Sequence, residues 1–347
     1  LGAELTDDYE ERTSIFGYNN VAEMILSMVL AAVVLVVIFP TEEGGPNGLL
    51  NEARYIILAM AGAPTIIFSI LLCTFGTLDQ LPYMQKVEIS EKFAVRGYFS
   101  ELGTLLRNPS YLAACLSLLT ICIGLGIIGV VANYAYIYAF DFSSEDMFWA
   151  GMAKLPGVFF ALPLLYFLSK HFQKKHIVIF TTLIMATIVS APYHLKLVGL
   201  FPPNDSPFIL FAVFGPLLLG YILFPVSYIV IDSQLADIAD EHELKAGKRR
   251  EGVIFAVRSF GKKATQGVGG LIAGFGLEFI DFPDNAAEVG VAADTIDGLL
   301  ILNGPVYLAI YIVGILFMFM YRISRERHAE ILVELETRRE AVADAGG

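Results

Sequence analysis

Eight apolar blocks, each long enough to cross a bilayer, constrain this chain more than anything else in it. They run over roughly 17–40, 54–76, 110–138, 147–168, 176–194, 207–236, 251–280 and 298–321. Stretches such as MILSMVLAAVVLVVIF and YLAIYIVGILFMFMY have no polar face for water to wet, which argues against a soluble helical core. Charged residues make up only 17% of the 347, where a soluble domain has about 25%. The sequence reads as an all-α polytopic membrane protein whose solvent is the lipid bilayer.

The charges sort by loop. Lysine and arginine number seventeen in the stretches before 17, 77–108, 169–176, 237–250 and 322–347, against two in 41–54, 139–146, 195–206 and 281–297. That asymmetry marks the cytoplasmic side, and it predicts that both termini are cytoplasmic. The net charge of −12 gathers in outer loops such as DFPDNAAEVGVAADTID. It is not a surface for a basic partner, and neither a nucleic acid nor an obligate protein partner is expected. Cys73, Cys115 and Cys122 all sit in apolar blocks and read as small core residues. The five histidines have no metal-ligand spacing.

Four segments are expected. Residues 1–76 carry two spans. Residues 77–109 form a cytoplasmic connection, in which KFAVRGYFSELGTLLRNP has the stripe of an interfacial helix, and Pro109 starts the next span. Residues 110–321 carry six spans with short connections. Residues 322–347 are a charged cytoplasmic tail, read as a helix that frays. The chain opens without methionine on LGAELTDDYEERTS, as though in mid-loop. Two spans plus six becomes six plus six if four spans precede residue 1, the plan of two six-helix halves around a midplane site.

Polar residues at bilayer depth carry the functional signal, because each costs free energy unless it faces a cavity or a partner. If the seventh block enters at Glu251, Lys262 lies roughly 16 Å deep, near the middle of a ~30 Å core, with Lys263 at the same level. One of this pair should face an aqueous cavity or an acid; an ion pair that only joins helices is the plainer alternative. Arg258 is shallower, about 10 Å in. Asp232, on the preceding block, matches it in depth, so an Asp232–Arg258 pair is expected. It would serve either the transport site or a structural clamp. Asn20 and Glu23 lie close together on one turn of the first block. Glu23 could bind a hydroxyl or a proton, or pair with a basic residue elsewhere. Tyr134, Tyr136 and Tyr138 read chiefly as an interfacial belt, Tyr228 as a cavity-lining residue, and Lys154 as a snorkelling cation. Gly270 and Gly274 have the small-xxx-small spacing of a close helix contact.

Two stretches carry a resemblance. ADIADEHELKAGKRREG resembles the signature between helices ten and eleven of the glycoside–pentoside–hexuronide:cation symporters, the melibiose-permease-like branch of the major facilitator superfamily. Asp237, Asp240, Glu243, Lys245, Gly247, Arg249, Glu251 and Gly252 match it, while Glu241 stands where the family has tyrosine. The opening LGAELTDDYEERT resembles the family's loop after helix four. The resemblance implies a major facilitator fold, with the eight blocks as helices five to twelve. It implies cation-coupled symport of a sugar, glycoside or sugar acid by alternating access, in a bacterial inner membrane, with no catalysis. Lys263 would take part in substrate binding and coupling, and Tyr228 would line the sugar cavity. Asp237, Asp240, Glu243, Lys245, Arg249 and Glu251 would form a cytoplasmic gate. Asn20 and Arg258 depart from the family pattern. No cofactor is implied beyond a coupling Na⁺ or H⁺, whose site would lie mostly in helices that precede residue 1. Transport of a lipid or amphiphile is the rival function; an integral-membrane enzyme would need converging His, Asp or Cys at a membrane face.

Overall fold

A computed structural model describes residues 22, 25–42, 47–76, 78, 103–246 and 251–346. Helices and turns account for the described residues, with no strand among them. Numbered in chain order, the helices are α1 (Ile25–Ile38), α2 (Glu52–Gly76), α3 (Pro109–Tyr134), α4 (Ser144–Met152), α5 (Leu155–His171) and α6 (Lys174–Leu197). They continue as α7 (Ile209–Ala246), α8 (Glu251–Phe279), α9 (Ala286–Val289), α10 (Ala293–Ile301), α11 (Tyr307–Met318) and α12 (Arg325–Gly346). Single-residue π-helical register shifts end α1, extend α3 over Ala135–Ala139 and join α10 to α11 over Leu302–Val306.

Most of the apolar blocks are single helices. α2, α3 with its extension, α6, α7 and α10–α11 are each long and apolar enough to span a membrane. The 147–168 block is divided between α4 and α5. In α8 the apolar stretch is Gly267–Phe279, because the earlier turns carry Arg258, Lys262 and Lys263.

Packing divides the chain into two compact units: Leu1–Phe93 with Phe142–Met152, and Ala94–Asp141 with Ala153–Gly347. In the first, α4 is tied to the turn after α1 by buried polar contacts. Asn47 donates to the Phe142 carbonyl at 2.8 Å and accepts from Ser144 Oγ at 2.9 Å. The Thr41 amide donates to Glu145 Oε1 at 2.9 Å. Arg54 Nη1 closes the end of α1 by donating to the carbonyls of Ile38 and Pro40. α2 has no buried residue, so Cys73 is exposed and not the core residue expected of it.

In the second unit, α3 starts as its sequence dictates. Asn108 caps the amides of Ser110 and Tyr111, and Pro109 occupies the first turn, where its missing N–H costs nothing. α3 packs along α8 and α11, and α6 along α7 and α11. Tyr111, Leu118, Ile121, Ile231, Leu235 and Tyr311 are fully buried among them. A lipid solvent supplies no hydrophobic drive for helix association, so close packing and interhelical hydrogen bonds carry it. Between α6 and α7, Ser227 Oγ bonds Thr181 Oγ1 at 2.7 Å and Thr182 Oγ1 at 3.1 Å.

The tight glycine contact lies one residue from the expected spacing. A Cβ on Gly269 would fall 2.7 Å from Gly126 Cα of α3, whereas Gly270 and Gly274 have nothing within 4 Å. One residue turns the helix by about 100°, which moves the contact face entirely. Three further expectations are corrected. Residues 237–246 continue α7 rather than forming a solvated loop. The segment lacks Gly and Pro until 247, and Leu235, Ile238 and Ala239 are buried on one side of it. Tyr136 is buried against Phe214, and Tyr134 and Tyr138 pack edge-on to Phe282, so these rings are not a lipid-facing belt. The tail is a docked helix: Ile331 and Leu335 of α12 are buried, and Arg338 Nη1 donates to the Leu244 carbonyl of α7 at 2.9 Å. The interfacial helix expected in 77–109 lies almost wholly outside the described residues.

Candidate functional site

Two clusters of polar side chains form in the second unit, both around α7. The first lies where α7 and α8 run side by side. Arg258 of α8 presents Nε and Nη2 to the two carboxylate oxygens of Asp232 on α7. The guanidinium fork matches a carboxylate in plane, so the pair is bidentate. Tyr228 lies one turn before Asp232, and the Arg258 guanidinium carbon sits 5.8 Å from the centre of its ring. Phe224, another turn back, has its ring 5.7 Å from that of Tyr228. The Tyr228 hydroxyl reaches Cys122 Sγ of α3 at 3.9 Å. Helical spacing along α7 thus sets an aromatic, an aromatic and an acid on one stripe. The pair is not sealed: the Arg258 and Asp232 side chains keep 21% and 32% of their accessible surface.

The second cluster lies at the end of α7. Lys174, in the first turn of α6, donates to both oxygens of Asp237 at 2.7 and 2.6 Å. The Tyr321 hydroxyl donates to Asp237 Oδ2 at 3.4 Å. His328 of α12 brings Nε2 to 3.1 Å from Asp240 Oδ2 and 3.4 Å from Asp237 Oδ1. Glu241 accepts from Asn108 at 2.8 Å and pairs with Lys245 one turn on at 2.7 Å. Two aspartates thus join the starts of α6 and α12 to the end of α7. Sequence reading singled out Asp237, Asp240 and Lys245 but missed Lys174, Tyr321 and His328. The proximity of the loop at 169–176 to 237–250 on one membrane side was the signal available for Lys174.

Lys263 is exposed on α8, with no ion-pair partner among the described residues. Glu243 is half-buried near the second cluster's stretch of α7. Lys262 and Glu251 belong to α8, but their side chains lie outside the described residues, as do Asn20, Glu23 and Arg249 altogether. Lys154 holds its ammonium 5.4 Å from the centre of the Tyr221 ring. A small, partly open cleft lies between α3, α6, α7 and α11, lined by Leu125, Met185, Leu217, Tyr221, Phe224 and Tyr307 among others. Phe224 links this mainly apolar cleft to the Tyr228–Arg258–Asp232 stripe. The amide oxygens of Gln234 and Asn303 are buried without a partner among the described residues. No group of three His, Cys, Asp or Glu capable of holding a metal forms among the described residues.

A bundle of helices, several of them long and apolar enough to span a membrane, with a bidentate ion pair and aromatic rings between two of its members defines a polytopic membrane protein. The chain belongs to the MFS/sugar transport protein family, whose model matches residues 1–325. It is 25% identical over 305 residues to a lactose permease of Leuconostoc lactis, covering 85% of this chain and 42% of that protein. It is 23% identical over 353 aligned positions to a lactose permease of Lactobacillus helveticus, covering 96% of this chain and 50% of that protein. An uncharacterized symporter of Bacillus subtilis, YjmB, is 32% identical over 103 residues, or 29% of this chain and 22% of that protein. The chain spans half or less of the length of each of these relatives.

Proposed function

We propose that this chain is part of a secondary active transporter that couples entry of a sugar, glycoside or hexuronate to a cation by alternating access. Membership in a sugar-transport family supports the class, and the names lactose permease and symporter among its relatives support the solute and the coupling. The observation that carries the reading furthest is the Tyr228–Arg258–Asp232 cluster. An arginine held by one aspartate of a candidate span, beside an aromatic ring and part-exposed, is costly unless something uses it. A sugar would stack its apolar CH face on Tyr228 while its hydroxyls or carboxylate reached Arg258 and Asp232. Lys263 and Lys262 of α8 would add to the solute and coupling contacts. Asp237, Asp240, Glu243, Lys245, Arg249 and Glu251 would serve the cytoplasmic gate, and Lys174 and His328, which contact Asp237 and Asp240, would join them. The coupling ion is Na⁺ or H⁺, and no catalysis is involved. The setting is the bacterial inner membrane with both termini cytoplasmic, as the seventeen-to-two distribution of cations favours.

Uptake by the reconstituted full-length protein tests this reading. A panel of glycosides and uronates is offered under a Na⁺ or a proton gradient. Gradient-dependent uptake of at least one sugar is expected. A second reading, transport of an amphiphile, is favoured by the mainly apolar lining of the cleft beside Phe224. Uptake of lysolipids with no uptake of any sugar would replace the first reading with the second.

A further inference from the structure

At one end of the second unit, three separate segments bring their cations together. Lys170 and His171 close α5, Lys175 and His176 open α6, and Arg322 and Arg325 follow α11. Two sets of contacts fix these segments side by side. The Arg325 guanidinium donates to the carbonyls of Ser169 and Phe172. The Lys175 ammonium donates to the carbonyls of Phe319 at 2.8 Å and Tyr321 at 3.3 Å.

Neither 166–176 nor 319–325 contains an Asp or Glu. The next acid along the chain, Glu326, hydrogen-bonds Ser324 in its own turn. Lys174 is occupied by Asp237, but its neighbours are not so compensated by an acid within these segments. The first turn of α6 holds Lys174, Lys175 and His176 with no acid, against the preference of a helix dipole for negative charge there. Local helix electrostatics favours Lys170 and His171 at the end of α5 but does not account for the three basic residues that open α6.

Beside the cations lie exposed rings. Phe167, Phe172 and Phe319 are 57%, 46% and 58% exposed, values that place aromatic surface next to charge rather than in the core. The Phe167 ring is 4.7 Å from that of His171, and the Lys175 ammonium stands 5.5 Å from the centre of the Phe319 ring. Cations at the ends of spans with apolar rings alongside match an amphiphile with an anionic head. A free phosphate would have no use for the rings.

We propose that this cluster binds the head group of an anionic phospholipid, with the phosphate against Lys170, Lys175 and Arg322 and an acyl chain along Phe167 and Phe319. Basic pockets between spans on the cytoplasmic side are suited to such head groups. The inference does not depend on which solute is carried.

The test is lipid binding to the purified full-length protein in detergent, read by native mass spectrometry with phosphatidylglycerol or phosphatidylcholine as the probe. Phosphatidylglycerol is expected to bind about tenfold more tightly. Lys170→Gln with Arg322→Gln removes two exposed cations and should lower that affinity by about tenfold; either single substitution should give part of the loss. Arg107→Gln with Arg327→Gln removes the same charge from exposed positions before α3 and on α12 and should leave the affinity unchanged. Millimolar inorganic phosphate should not displace the lipid. Equal loss in both double variants would reduce the effect to the general surface field and overturn the site. Equal affinity for the two lipids, or displacement by phosphate, would overturn it as well.

Discussion

Arg258 of α8 and Asp232 of α7 form a bidentate ion pair between two helices, with Tyr228 one turn away against the guanidinium. The pair is part-exposed, so the cost of breaking it falls below the roughly 3–5 kcal/mol of a fully buried pair. Arg258→Gln and Asp232→Asn are each expected to destabilise the protein by about 1–3 kcal/mol, because each strands the other charge in the bundle. The double variant should recover most of that loss. Thermal unfolding of the four proteins in detergent completes the cycle; additive losses would mean that the two side chains are not coupled.

The glycine contact between α3 and α8 gives a prediction that separates neighbours. Gly269→Ala forces a Cβ to 2.7 Å from Gly126 Cα and should cost about 1–3 kcal/mol. Gly270→Ala meets open space and should be neutral or slightly stabilising. Equal melting temperatures for the two variants would contradict the helix phase described here.

His328 should hold the tail. Its replacement by Ala removes the bridge to Asp237 and Asp240 while leaving Ile331 and Leu335 buried. Amide hydrogen exchange in 325–338 is expected to rise by about fivefold or more, the effect of losing about 1 kcal/mol of hydrogen bonding. Lys174→Met should raise it too, through Asp237. Unchanged exchange in both variants would show that the apolar contacts suffice.

How much of this was legible in the sequence depended on the range of the interaction. Spans were legible because a continuous apolar run declares its solvent locally. The Asp232–Arg258 pair was legible because depth can be counted along each helix from a common membrane face. The glycine contact was misread because spacing gives a face but not which of two adjacent faces meets a neighbour. Residues 237–246 were misread as loop because their charges resemble those of one, although no helix breaker precedes Gly247. His328 and Lys174 were missed because their partners lie far along the chain, 88 residues from His328 to Asp240 and 63 from Lys174 to Asp237.

Lys263 carries the strongest expectation for solute handling, and it lies exposed on α8 without an ion-pair partner among the described residues. Lys263→Ala should reduce uptake of the identified solute by at least tenfold, with little change in melting temperature, since no packed contact is lost. Full uptake in this variant would remove Lys263 from the solute path.

The most direct test of symport is the electrical response of proteoliposomes holding the full-length protein to a sudden jump in sugar concentration. At equal Na⁺ and pH on both sides, the account predicts a transient inward movement of positive charge for a neutral sugar or glycoside, or cation-dependent uptake without net charge for a hexuronate, whose carboxylate cancels one cation. It also predicts loss of that current in Lys263→Ala. Transport of a neutral sugar with no accompanying charge movement, or of a hexuronate with no dependence on Na⁺ or H⁺, would contradict cation coupling; no uptake of any sugar, with uptake of lysolipid, would contradict the sugar-symport account itself.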